Sequence, residues 1–133
     1  MVKNHCRQER IFVNYTLSIS EKQEFIICRV TGPLTIKVAK EFAKEIDNMS
    51  RAHNIKRFLK DMRGAPIQSS SYQIYEYTYE YMTNLGFQKD TRSAILVDPP
   101  DQSHNFVETV ASNAGFTVKV FSDRAAAIAW LKE

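Results

Sequence analysis

The chain is poor in the residues that carry most recognisable chemistry. It has two cysteines in 133 residues, Cys6 and Cys28, so no disulfide framework can be drawn from it. Cys28 sits in the apolar run FIICRV, where a free thiol packs as a small hydrophobe. No Cys or His pair has the spacing of metal ligands, and neither a metal nor a cofactor is expected. A glycine-rich phosphate loop, a nucleophile elbow and an HExxH motif are all missing. His5 and His53 lie in polar contexts that suggest no role. No run is long and apolar enough to span a bilayer. The first ten residues, MVKNHCRQER, lack the apolar centre of a signal peptide and read as a flexible N-terminal segment. The formal charge is only +3, with basic residues scattered among acidic ones, which is not the footprint of a nucleic-acid binder. These absences lead to the expectation of a cytoplasmic domain without membrane insertion.

What is present is ordinary globular material, 44% apolar and 25% charged. The length fits one domain over residues 1–133 and is enough to bury a core without disulfides or metal. Residues 11–19, IFVNYTLSI, alternate with Ile11, Val13, Tyr15, Leu17 and Ile19 on one face, as in a half-buried strand. A second strand, EFIICRV, follows the short polar SEKQ and suggests a hairpin. The stretch TIKVAKEFAKEIDNM is amphipathic at helical spacing, with Thr35 as its N-cap. IKRFLKDM reads as a third strand ending near Asp61, and the unbroken apolar run of SAILVD as a central strand buried on both faces. DQSHNFVETVASNAG then makes a helix with Phe106, Val107, Val110, Ala111 and Ala114 inward and Gly115 as its stop. FTVKVF is the last strand. SDRAAAIAWLKE is the last helix, capped by Ser122 and anchored by Ile128, Trp130 and Leu131.

Residues 69–82, SSSYQIYEYTYEYM, pose the hardest question. The alternation of Tyr75, Tyr77, Tyr79 and Tyr81 imitates a strand. Three features favour a helix over 71–85. The serines offer an N-cap and Gly86 a C-terminal stop. The segment exceeds the usual strand of roughly 5–6 residues. It also joins two strands expected to be parallel, which need a crossover. On a helical wheel its apolar arc covers roughly 220°, against an ordinary requirement of a little over about 100°. Ile74, Met82 and Leu85 are expected to face the sheet, leaving Tyr77 and Tyr81 on one flank and Tyr72 and Tyr79 on the other. Packing on a neighbouring helix, a surface for a protein partner or a second copy, and a pocket for a small apolar ligand all fit such an arc.

The element order is then ββαβαβαβα, an α/β domain with a mixed, mostly parallel sheet of about five strands. This order, with the phrases RVTGPLT, FLKDMRGAP, AILVDPPDQSHNFVETVASNAGFTVKVF and AAIAWL, resembles the SpoIIAA-like branch of the STAS-like proteins. That group takes in anti-sigma-factor antagonists and sulfate-transporter tails, with CRAL-TRIO lipid-binding domains as relatives by fold. The resemblance runs from about Ile11 to the end. It implies a STAS-like fold and, for the antagonists, a phospho-accepting serine in an Asp-Ser-Ser-Gly motif opening a helix. Laid on that motif, Asp61 matches its upstream Asp, Ser70 the acceptor and Ser71 the next Ser. Ser69 stands where the motif has its second Asp, and Tyr72 where it has Gly.

From the residues alone, Ser69, Ser70 and Ser71 offer a helix cap, with an anion site at the helix N-terminus as the alternative. Asp61, Arg63, Asp98, Asp101, Ser103 and His104 all follow strand C-termini, the edge where open α/β sheets bind ligands. A His near carboxylates could serve acid–base chemistry. The competing reading makes Asp101 or Ser103 a cap and pairs Asp61 with Arg63. The expected function is a non-enzymatic regulatory module working through protein contacts, with Tyr72, Tyr75, Tyr77, Tyr79 and Tyr81 as its recognition surface. The alternative is a binder of a small apolar or lipid-like ligand beside the tyrosine helix.

Overall fold

The computed structural model describes residues 6–133, and the side chains from Glu9 onward; the part of the N-terminal segment with His5, residues 1–5, lies outside the described residues. The chain runs β1 (Cys6–Ile11), β2 (Tyr15–Ser20), β3 (Ile26–Val30), α1 (Ile36–His53), β4 (Arg57–Asp61) and α2 (Ser71–Glu76). A π-helical segment, Tyr77–Met82, continues α2, followed by β5 (Arg92–Leu96), α3 (Asn105–Asn113), β6 (Thr117–Phe121) and α4 (Arg124–Leu131). The mixed α/β architecture stands. The sheet has six strands rather than five. The extra one is β1, which pairs with β2 at the edge of the sheet and takes in residues 6–10 of the N-terminal segment. Its charged sequence, CRQERI, disguised it, because edge strands carry charge where central ones cannot. The alternation of residues 11–19 likewise spans two strands and the turn between them. Ile11 and Val13 are exposed there, and only Tyr15, Leu17 and Ile19 point inward.

The six strands lie in the order in which they occur in the chain, β1 to β6. The β1–β2 and β2–β3 pairs are antiparallel, and the β3–β4, β4–β5 and β5–β6 pairs are parallel. Right-handed crossovers that step across a sheet in one direction all fall on one face. Accordingly, α1 and residues of the π segment and α3 share the large core on that face, with Phe58, Met62, Ile95 and Val97 from the strands. The opposite face of the central strands is covered by α4, whose Ala127 and Leu131 pack with Leu59, Ala94 and Leu96. This is why β5 is buried on both sides from Ser93 to Leu96, as its unbroken apolar sequence required.

The helices follow their signals with small shifts. Thr35 caps α1 by accepting the Val38 amide at 3.3 Å, and α1 buries Ala39, Phe42, Ala43, Ile46 and Met49. Asp123, not Ser122, caps α4, accepting from Ala126. Phe106 is exposed although the wheel placed it inward, while Val110 and Ala111 are buried.

Candidate functional site

Residues 71–82 are helical, and the serines divide the labour at their start. Ser70 is the cap. Its hydroxyl accepts the Gln73 amide at 3.2 Å, and the Gln73 side chain accepts the Ser70 amide at 2.9 Å, closing a capping box. Ser69 lines a cavity described below, and Ser71 begins the helix. Past Glu76 the helix widens from i→i+4 to i→i+5 hydrogen bonding, a form that is rare and frequent at functional sites. Gly86, at φ 69°, ends it in the left-handed region that favours glycine.

The widened turns explain the tyrosine alternation. Rings four residues apart come into register, so Tyr75 stacks near Tyr79 with centroids 4.6 Å apart, and Tyr77 on Tyr81 at 5.5 Å. Two such columns offset by two residues produce the strand-like pattern in the sequence. The columns differ in what they touch. Tyr77 and Tyr81 lie along α1 and donate to the backbone carbonyls of Ala39 at 3.4 Å and Lys40 at 3.3 Å. Lys40 also places its ammonium 5.0 Å from the Tyr81 ring centre. Tyr72 and Tyr75 face outward, 70% and 51% exposed, with Tyr79 half-buried beside them. Ile74 and Thr78 are buried on the sheet side, and Met82, half-buried, lines the cavity there. Leu85 was expected there and is exposed instead, because the wider turns rotate every later residue away from the α-helical wheel.

The strand-end residues form three separate arrangements. Asp61 is buried at the end of β4 and gathers Arg29 at 2.7 Å and Arg63 through two contacts of 2.8–2.9 Å. Burial pushes its carboxyl up, but hydrogen bonds from Arg63 and the charges of Arg63 and Arg29 outweigh this and hold it below the usual range. Asp98 accepts the Gly64 amide at 2.8 Å, tying the loop after β4 to the end of β5. Asp101 accepts from the amide and hydroxyl of Ser103, and that hydroxyl accepts from the Ile67 amide at 3.0 Å. His104 is buried, donates from Nε2 to the Ala65 carbonyl at 3.1 Å, and lies 3.7 Å from Asp101. Burial pushes its pKa down, against the raising pull of that hydrogen bond and of Asp101. By strand alternation Asp61 shares the face of Leu59 and α4, whereas His104 lines the cavity on the other face. The geometry therefore does not bring Asp61 and His104 together. Among the described residues no three His, Cys, Asp or Glu side chains gather as metal ligands.

Between the sheet and the layer of α1, α2 and α3 lies an apolar slot of about 120 Å³. Its lining reaches from Thr91 and Thr117, at the start of the parallel strands, to Met62 and His104 beyond their ends. Phe42, Ile46, Phe58, Ile95 and Val107 are among the apolar side chains of its wall. One wall residue was missed in the sequence. Lys60 sits in the middle of the sheet on the inward face of β4, in register with Cys28 on β3 and Ile95 on β5. The signal was present in RFLKD, where alternation places Lys60 on the same face as Phe58 and Met62. Burial pushes its amine below the ordinary lysine range. The neighbouring Cys28 thiol is pushed up to about 12 by burial.

The sheet order, the single-face crossovers and the capped helix after the loop of β4 are those of the STAS-like architecture. A family model described as SpoIIAA-like matches residues 25–132. The chain belongs to the SpoIIAA-like family. The match begins at the β2–β3 turn and takes in β3, the slot-forming strands β4 to β6 and all four helices of this SpoIIAA-like protein. Neither a curated protein nor a solved structure matches the chain. No helix among the described residues is long and apolar enough to cross a membrane.

Proposed function

We propose that this SpoIIAA-like protein is a non-enzymatic cytoplasmic regulatory module that works by binding another protein surface, its own copy included, through the outer tyrosine column. The observation that carries this reading is the asymmetry of the two columns. Tyr77 and Tyr81 are spent on α1, whereas Tyr72 and Tyr75 present their rings to solvent on the same rigid helix. Tyrosine is enriched at protein interfaces and among their hot spots. The strand-end residues support a non-catalytic reading, since Asp61, Asp98 and His104 each hold structural partners in separate places. The test is sedimentation of the wild type and of the Tyr72→Ala/Tyr75→Ala variant, with circular dichroism as the check on folding. A concentration-dependent assembly lost in the variant supports the surface. If the wild type stays monomeric and the variant pulls down the same native partners as the wild type, the tyrosine face is not the contact.

The slot supports a second reading, the binding of a small apolar ligand. A dry apolar cavity of about 150 Å³ takes benzene, and the slot is of similar size. Titration with hexanol, watched by the amide spectra of slot residues, tests it.

A further inference from the structure

We propose that the slot is a carboxylate site, with Lys60 as the anchor for the head of a short unbranched apolar acid whose tail lies between the sheet and α1. The inference rests on the second reading above and names the ligand class. Its starting point is the pairing state of the groups around the slot. Asp47 receives Arg51 at 2.8 Å and Gln88 at 3.4 Å. Tyr77 donates to Ala39, and His104 to Ala65. Cys28, beside Lys60 in the sheet, holds its proton. The amine of Lys60 has no ion pair and no hydrogen bond to any described residue, although it stands at the centre of a six-stranded sheet. Asp61, the next residue, is on the opposite face and engaged by two arginines.

The Lys60 side chain is part-buried, with its amine open to the slot it lines, and a charge held against apolar walls without an acceptor is less favourable than one that has a partner. A neutral apolar molecule would leave the amine as it is. A carboxylate would supply both the missing acceptor and the counter-charge, and charge-assisted hydrogen bonds of this type are among the stronger ones. The size of the slot limits the tail to roughly six carbons, on the comparison with benzene. Its elongated wall suits a chain rather than a branched body. Ile36 and Tyr77 line both the slot and a surface groove shared with Lys40, Gln73 and Glu80. Those two side chains therefore stand between the slot and solvent, and entry runs between α1 and the tyrosine helix.

The experiment titrates hexanoate and hexanol into the wild type and into Lys60→Met by calorimetry. The wild type should prefer hexanoate by about ten-fold or more, the order expected for one charge-assisted contact. Lys60→Met should bind both equally. A second measurement needs no variant. The Lys60 Cε resonance of the labelled wild type should move on adding hexanoate and stay fixed with hexanol. Equal affinity for acid and alcohol would overturn the carboxylate assignment and leave the apolar-ligand reading intact. Binding of neither would overturn both. A preference for hexanoate that survives in Lys60→Met, or an unmoved Cε signal, would remove Lys60 as the anchor.

Discussion

Replacing Lys60 by Met should stabilise the protein. The two side chains are of similar length, so the substitution keeps the packing against Phe58 and Ile95 while removing the unpaired amine. A buried polar group without a hydrogen bond costs about 1–3 kcal/mol by mutational measures; Lys60 is part-buried, so the gain expected near pH 7 lies at the low end, about 1 kcal/mol. The gain should also depend on pH in a specified direction. The amine is pushed down in the folded state, whereas in the unfolded chain it titrates near the ordinary value of about 10.4. Between those two values the unfolded state binds the extra proton. The contribution of Lys60 to stability therefore rises with pH in that window, by up to about 1.4 kcal/mol per pH unit, and levels off above it. Cys28 and Tyr15, both raised to about 12 by burial, act in the opposite direction as the unfolded chain loses those protons first. They are common to both proteins and cancel in the difference. Urea unfolding of both proteins from pH 7 to pH 10, with equal slopes in denaturant, gives that difference directly. The advantage of Lys60→Met should be largest at pH 7 and shrink as the pH rises. A variant less stable than the wild type, or an advantage that does not change with pH, would show that the amine is not held unpaired in the slot.

Two further outcomes follow from the acidic limb. Asp61→Asn should cost about 1–2 kcal/mol at neutral pH, since charged hydrogen bonds are worth about 1.5–3 kcal/mol and both arginines are partly solvated. Because the folded carboxyl is depressed, this stability is complete above an unfolded pKa of about 3.9 and fades as pH falls through the folded value; acid titration of the difference should show it vanish there. His104 is also depressed, so its neutral ring favours the fold above about pH 6.5 and the fold weakens as pH falls below that value. His104→Gln should flatten the loss between pH 6.5 and 5 in thermal melts.

The α/β order, the α1 stripe and the buried run of β5 were legible because each was dictated by a strong local period. The tyrosine helix was legible through its flanking cap and stop, against a misleading alternation. Its widened turns were not, since no local propensity distinguishes i→i+5 from i→i+4 closure, and the position of Leu85 depends on that difference. β1 escaped because a charged edge strand lacks the apolar period that marks a strand. Ser122 and Asp123 are adjacent cap residues, and only backbone geometry chooses between them. The assembly of Asp61 with Arg29 was out of reach, because register between β3 and β4 brings together residues 32 positions apart. Lys60 was readable in principle. Its neighbours Phe58 and Met62, on the same face of the strand, fix which way it points.

The sequential order of the strands has a bearing on how the chain is made. Every strand bonds to the one synthesised just before it, so each finds a finished edge to dock on as it leaves the ribosome, and none must wait to be inserted between earlier ones. Contacts of short sequence separation favour fast assembly. The back of the sheet is the exception. Leu59, Ala94 and Leu96 are covered by Ala127 and Leu131 of α4, which follows every strand in the chain. Until α4 has been made, that apolar surface stays bare, and it is the part of the nascent protein on which a chaperone would have something to hold.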